Sequence, residues 1–379
     1  MKKIVRITTI ADSMKGLLRG QLRFINQYYE VVGISGDGES LKAVREEEGI
    51  RTEVAEMTRT ISPISDIVAV YRVYKILRKE KPHIVHTHTP KAGIIGMLAA
   101  KLAGVKHRFH TVAGMPLLVA TGPKRVLLNY VEKLTYSCAT KVLPNSYGLK
   151  NIILEERFTT IEKIEIIGKG SSNGIDVNHF DSSLFKDADL KSLKLELNID
   201  KQFVCVYVGR LVTDKGINEL VAAFDIFSKN HNAKLILVGW RENELDPLRP
   251  ETENILNQNN HIIQVGYQPD VRPYFAISDV LVFPSYREGF PNVVLQAGAM
   301  QVPSIVTNIN GCNEIIRDGE NGLIIPVKDV QAIIASMRHF IQNPEIHQMM
   351  RANSRQNIIN NYKHKYVWDE LLKEYRKTN

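Results

Sequence analysis

Two doubly wound, Rossmann-like α/β domains are the architecture this sequence predicts. Short β-branched runs alternate with longer stretches of helical period, the signature of parallel sheets built from βαβ units. That alternation starts twice along the chain, and 379 residues leave room for two or three domains of ordinary size. In the first series the expected strands are Ile4–Thr9, Val31–Ser35, His83–His88, His107–Val112 and Thr140–Pro144. Helices are expected over Ile67–Lys81 and Ala92–Leu102, each closed by Pro or Gly. The second series runs Phe203–Val208, Lys234–Val238, His261–Val265, Val280–Phe283, Ser304–Thr307 and Leu323–Pro326. Polar and Gly residues break the pattern over Ile161–Gly170, so the domains are expected to be 1–165 and 166–379. A last helix is expected over Ser354–Lys377, with Tyr362, Tyr366, Trp368 and Leu371 as its apolar contacts. Ligands collect at the carboxyl ends of strands in open α/β sheets, so two such domains facing each other make a cleft.

Composition narrows the function. No apolar run approaches the ~18 residues needed to span a bilayer. Met1-Lys2-Lys3 followed by Ile4 to Ile10 imitates a signal peptide, but polar residues interrupt the apolar core and Asp12 follows at once. Three cysteines, Cys138, Cys205 and Cys312, have no metal-ligand spacing and cannot form a disulfide framework, which suits a reducing cytoplasm. The net charge of +8 is uneven: residues 1–165 carry 26 Lys and Arg against 16 Asp and Glu, and the remainder 23 against 25. A basic first half suggests an anionic partner there. No helix-turn-helix, zinc-finger or aromatic RNA-binding signature accompanies the charge, so nucleic acid is not expected. Anionic lipid head groups or a phosphate-bearing acceptor fit better; a merely solvated basic surface is the alternative.

Two segments of the second half carry chemistry. In Val208-Gly209-Arg210-Leu211-Val212-Thr213-Asp214-Lys215-Gly216 a strand ends at Gly209, and Arg210 and Lys215 then sit in a loop before a helix at Ile217. Two cations plus helix N-terminal amides suit a diphosphate. Neither the Walker spacing nor G-x-G-x-x-G is present, and by itself the segment also reads as a charged surface turn. In the second, Phe283-Pro284-Ser285-Tyr286-Arg287-Glu288-Gly289-Phe290-Pro291-Asn292-Val293-Val294-Leu295-Gln296-Ala297, a strand ends at Pro284-Ser285 and a helix starts near Asn292. Pro291 suits a first helical turn, and the free amides beyond it can meet a phosphate. Glu288 then lies where a carboxylate accepts from vicinal sugar hydroxyls, and Gln296, about one turn on, reaches a ribose diol.

Together these segments resemble retaining glycosyltransferase family 4. The G-R-L-x-x-x-K-G element matches at Gly209, Arg210, Leu211, Lys215 and Gly216, and E-G-F-P-N-V-V-L at Glu288 to Leu295. Asn173-Gly174-Ile175-Asp176, Gly311-Cys312-Asn313-Glu314 and Asn321-Gly322-Leu323 follow in family order, so the resemblance covers nearly the whole chain. It implies a GT-B fold whose C-terminal helix returns to the first domain, an acceptor-binding domain at 1–165 and a nucleotide-sugar-binding domain at 166–379. It further implies a nucleotide-diphosphate-sugar donor, UDP-linked, and retention at the anomeric carbon. No metal and no cofactor are implied, the sugar nucleotide being a substrate. Arg210 and Lys215 would hold the diphosphate and Glu288 the sugar, with Gly209, Gly289, Phe290, Asn292, Val293 and Gln296 completing the donor site. The family's E-x7-E pattern ends here in Gln296; Gln keeps a carbonyl acceptor for a diol and loses the charge.

In the first half, the strand His83-Ile84-Val85-His86-Thr87-His88-Thr89-Pro90 carries three histidines. His86 and His88 share a face, but no Cys or carboxylate nearby completes a zinc set, so no metal is expected. His88, at the strand end, reads as a cleft residue on the acceptor side. His110 resembles the histidine that family members place close to the transferred sugar; a satisfied structural histidine is the alternative. The first strand–helix loop, Ala11 to Gly16, would bring Lys15 and Gly16 to the acceptor. Basic helices at Ile67–Lys81 and Gly122–Leu134 could lie on an anionic membrane, leaving the enzyme cytoplasmic and peripheral on the inner face of the plasma membrane. A polyprenyl-diphosphate-linked saccharide acceptor for surface polysaccharide, capsule or lipopolysaccharide, follows from the resemblance. The competing readings are a UDP-sugar epimerase and a non-catalytic donor-binding scaffold.

Overall fold

The computed structural model describes residues 1–58, 62–242 and 244–378. They form two compact units: Met1–Asn173 with His364–Asn379, and Gly174–Lys363. Unit 1 is built on a six-stranded parallel sheet of β1 (Lys3–Ile7), β2 (Glu30–Ser35), β3 (Arg51–Val54), β4 (Ile84–His88), β5 (His107–Val112) and β6 (Lys141–Pro144). Its order is β3-β2-β1-β4-β5-β6. Unit 2 repeats the plan with β7 (Phe203–Val208), β8 (Ala233–Val238), β9 (Ile262–Gly266), β10 (Val280–Phe283), β11 (Ser304–Thr307) and β12 (Gly322–Ile325), in the order β12-β11-β10-β7-β8-β9. Strands covered on both faces need apolar side chains at every position, so β7 reads Phe-Val-Cys-Val-Tyr-Val rather than alternating.

Eleven of the strands coincide with the sequence expectation to within two residues. The exception, β3, was not expected: Arg-Thr-Glu-Val at the sheet edge has only β2 as a neighbour and stays largely in water. Half-covered edge strands carry polar side chains and lose the apolar signal.

On one face of the unit 1 sheet, helices Pro63–Glu80, Pro90–Leu102 and Gly122–Cys138 bury Ala69, Val73, Leu77, Ile95, Met97 and Tyr136. On the other, Ala11–Leu17, Gln21–Asn26 and His364–Arg376 cover Ile4, Val31 and Phe109 with Met14, Leu22, Leu371 and Tyr375. The single helix expected over Ser354–Lys377 is in fact two, Pro344–Asn361 and His364–Arg376. The break has a cause: Ile175 N–H donates to Tyr362 O at 2.8 Å and Ile175 bridges Lys363, pulling that backbone out of the helix. The division between units therefore falls at Asn173/Gly174 and again at Lys363/His364, not at residue 165. The last helix belongs to unit 1, where Trp368 Nε1 donates to Asn173 Oδ1 at 2.6 Å.

Candidate active site

In unit 2 the strand order reverses between β7 and β10, and open α/β sheets bind ligands at the carboxyl ends beside such a reversal. The two motifs leave the sheet there. After β7 the chain turns through a 3-10 segment, Thr213–Lys215, into helix Ile217–Ser228. After β10 it loops through Glu288 into helix Asn292–Ala299, with Pro291 as the residue before the first turn. Lys215 Nζ and Glu288 Oε1 meet at 2.5 Å, both side chains 15% exposed. Ser285 Oγ donates to the same carboxylate oxygen at 3.0 Å.

Backbone contacts zip the two loops together. Tyr286 N–H donates to Asp214 O at 2.9 Å, and Arg287 pairs with Asp214 at 2.7 Å. Gly216, at φ +73°, brings the first loop so close that a Cβ there would stand 2.1 Å from Pro284 O. A third loop, after β11, supports Glu288 from behind: Asn310 Nδ2 donates to Glu288 O, and Gly311 at φ +78° packs on the Gly289 backbone.

The other expected donor residues lie around this pair. Arg210 forms an ion pair with Glu242 at 2.5 Å, so neither motif cation stands free. Gly209, at φ +147°, lets the chain leave β7, and Tyr207 Oη donates to Arg210 O at 2.8 Å. Phe290 is buried with its ring 5.5 Å from Tyr362. Asn292 is exposed and Val293 half-buried on the first turn of their helix, and half-buried Gln296 follows on the second.

Unit 1 corrects two expectations, those for His110 and for the Ala11 to Gly16 loop, and places His88 inside the unit rather than at its surface. His110 is 3% exposed and faces helix Pro90–Leu102, with Nδ1 2.8 Å from Thr87 Oγ1 and its ring 5.9 Å from Tyr136. A Cβ on Gly93 would stand 2.5 Å from its ring. Burial pulls its pKa down to about 4, leaving a neutral core histidine rather than a group exposed to a sugar. The alternation of β5 sets its direction, since His110 and Val112 share the face whose core holds Ile95 and Tyr136, while Phe109 turns to the opposite helix layer. Residues Ala11 to Gly16 are not a loop but most of helix Ala11–Leu17, where Lys15 pairs with Glu47 at 3.2 Å and nothing stands near a Cβ on Gly16. His88 does close β4, yet it is buried, its Nε2 3.1 Å from Arg6 Nε and 2.9 Å from Arg6 Nη2.

Glu242 and Asn310 escaped the sequence reading because their partners, Arg210 and Glu288, are 32 and 22 residues away, and Ser285 and Gly311, though inside the motif segments, carry no role in that reading. Arg6 did leave a signal: it is the one charged residue inside an otherwise apolar run, Ile4-Val5-Arg6-Ile7. Among the described residues, no group of three or more His, Cys, Asp or Glu is placed to hold a metal ion.

Residues 191–357 match the family model of glycosyl transferases group 1, and residues 7–146 that of glycosyl transferase 4-like domains. The capsular polysaccharide biosynthesis glycosyltransferase CapM of Staphylococcus aureus is 34% identical, over 99% of this chain and 97% of that protein. The chain belongs to this glycosyltransferase family. A UDP-Gal:alpha-D-GlcNAc-diphosphoundecaprenol alpha-1,3-galactosyltransferase of Escherichia coli is 32% identical over 82% of the chain and 79% of its own length. Among solved structures, Anabaena Alr3699/HepE in complex with UDP superposes with a TM-score of 0.82 at 16% identity, each chain fully covered. A glycosyltransferase from Rickettsia africae gives 0.81 at 20% identity, covering 100% of this chain and 98% of that one. The fold of this glycosyltransferase is thus GT-B.

Proposed function

We propose that this glycosyltransferase moves a hexosyl or N-acetylhexosaminyl group from a UDP-linked sugar to a polyprenyl-diphosphate-linked saccharide, with retention, in surface polysaccharide synthesis. The observation that carries the reading is the Lys215–Glu288 pair at the unit 2 strand reversal. An arriving diphosphate competes with Glu288 for Lys215 and with Glu242 for Arg210. Each cation then neutralises a phosphoryl oxygen as the glycosidic bond breaks, and the released Glu288 carboxylate accepts from sugar hydroxyls. No metal or cofactor enters this scheme. Retention rests on the family resemblance of the Glu288 element, and the donor and acceptor classes on those named for the relatives. Unit 1 takes the acceptor and unit 2 the donor. Incubating the enzyme with a panel of UDP-sugars and a lipid-diphosphate saccharide, and reading the new anomeric centre by NMR, tests all of this. A retained α-linkage is expected; an inverted product, or nucleotide release that ignores the acceptor, sinks the proposal.

Unit 1 also carries a surface suited to anionic lipid. Helix Pro63–Glu80 buries Ala69, Val73 and Leu77, but Ile64, Ile67, Val68 and Tyr71 form an exposed stripe, Ile64 being 82% exposed. Helix Gly122–Cys138 exposes Val126, Leu127, Tyr130 and Leu134, Tyr130 being 70% exposed. Helices of a βαβ unit run antiparallel to its strands, so Ile64–Tyr71 lies toward the carboxyl edge, where ligands collect. Exposed Arg72, Lys75, Lys124 and Lys133 flank the stripes. Within the same helices Val73 and Leu77 face the core, and Arg125 is tied to Glu156 at 2.5 Å. No helix among the described residues is long and apolar enough to cross a membrane. Docking of this face on the inner leaflet would bring the enzyme to its lipid-linked acceptor. Each cation near an anionic surface contributes about 1 kcal/mol, so co-sedimentation with phosphatidylglycerol vesicles should weaken with salt and drop ~10-fold or more when Lys124 and Lys133 become Glu. Equal binding to neutral vesicles, or none to either kind, counts against membrane docking.

A further inference from the structure

In unit 1 the strand order reverses between β1 and β4, and Arg6 on β1 and His88 on β4 meet across that reversal. Arg6 is fully buried, and its hydrogen-bond partners are neutral: the His88 imidazole and Gln21 Oε1, 2.5 Å from Nη2. No carboxylate pairs with it among the described residues, and Nη1 has no partner. A buried cation without a counter-charge is costly to keep. Burial, reinforced by the Arg6 charge, holds the His88 pKa well below the ordinary range, so the histidine adds no second charge.

Gln21 and His88 line a small cavity of about 10 Å³, with Asn145, Thr111, Ser171 and Ser172. That volume admits one oxygen-sized group. Asn145, 5% exposed, presents an unpartnered Oδ1, and Ser172 Oγ also lacks a partner. A carboxamide can turn either its oxygen or its NH2 to an occupant. Beside His88, Thr89 holds φ +72°, an unusual conformation for a β-branched residue and one that concentrates at functional sites.

We propose that this Arg6–His88–Asn145 cluster receives one phosphoryl oxygen of the acceptor's diphosphate. The inference rests on the lipid-diphosphate reading above and extends it by naming the anchoring residues. Arg6, held behind the lining residues Gln21 and His88, supplies the counter-charge, with Ser172 and Asn145 as short-range donors.

The full-length enzyme is assayed with two acceptors of identical sugar and short alkyl chain, one joined through a diphosphate and the other through a single glycosidic oxygen. In Arg6→Gln and Asn145→Asp, the KM for the diphosphate acceptor should rise at least ~10-fold more than that for the glycoside, because a charge-assisted contact is lost only with the former. The KM for the sugar nucleotide should stay within about twofold. Equal losses on both acceptors, or none, overturn the proposal. Calorimetric titration with inorganic pyrophosphate, the donor site filled by UDP, reads the same cluster without turnover. Binding at least ~10-fold weaker in both variants is expected, and unchanged binding overturns the proposal even if the wild-type enzyme transfers to neither acceptor. Phosphatidylglycerol vesicles form the last arm. Unchanged co-sedimentation of the variants supports the acceptor as the phosphate source, and a parallel loss assigns the site to a lipid head group instead.

Discussion

Lys215→Ala is expected to lower kcat/KM by ~10²-fold or more, equivalent to about 2.7 kcal/mol of transition-state stabilisation. Among the described residues the lysine is the only cation on the Glu288 carboxylate, held at 2.5 Å in a mostly buried setting where its charge is weakly screened. A departing diphosphate gains a full negative charge there, so loss of Nζ removes an interaction that strengthens as the bond breaks. Arg210→Ala should act in the same direction. Arg210 is about a third exposed and already shares its charge with Glu242, so its effect should be the smaller of the two. Lys215→Arg keeps the charge and should recover part of the rate. Melting curves separate this from unfolding, because the alanine variant also leaves Glu288 unpaired. A folded Lys215→Ala enzyme with kcat/KM within a few-fold of wild type would remove the diphosphate role from this residue.

What the sequence showed and hid follows from the range of the interactions. Strands of a parallel sheet advertise themselves locally, since both faces are apolar, and both β-α series could be read without contacts. The Gly209–Gly216 and Glu288–Leu295 elements were legible for a related reason: each is a strand end, a turn and a helix start, all within one short segment. The meeting of Lys215 with Glu288 was implied only by resemblance, because 73 residues separate them. Side-chain direction was the weak point. His110 and His88 both stand near strand ends in sequence, but pleating turns His110 into the helix-covered core and His88 onto Arg6. Basic, apolar-rich helices posed the same ambiguity. Only the packed structure shows that Val73 and Leu77 point inward while Ile64, Ile67 and Tyr71 do not. The break at Tyr362–Lys363 left only the weak signal of Asn360-Asn361, poor helix formers; its cause is the pairing with Ile175.

Gly216→Ala should be among the most damaging single methyl groups in unit 2. The position needs φ +73°, which costs an L-residue about 1–2 kcal/mol, and the added Cβ would stand 2.1 Å from Pro284 O and 2.8 Å from its carbonyl carbon. Those atoms are backbone at the end of β10, so no side chain can turn aside. The two loops must separate, which strains the Tyr286 N–H to Asp214 O bond and the seat of Lys215 against Glu288. A total loss of about 2–4 kcal/mol is expected, in the range of mutations that strain special backbone sites. For a unit of this size that corresponds to a melting temperature lower by about 4–16 °C. Activity should fall at least ~10-fold at temperatures where the variant is still folded, because the misplaced Lys215 no longer meets the diphosphate. Gly319→Ala is the control: its φ is +77°, almost the same, but nothing lies within 4 Å of the added Cβ. It should lose only the conformational 1–2 kcal/mol or so and keep its activity. If the two variants melt together and turn over alike, the close approach of the Lys215 loop to Pro284 does not position the site.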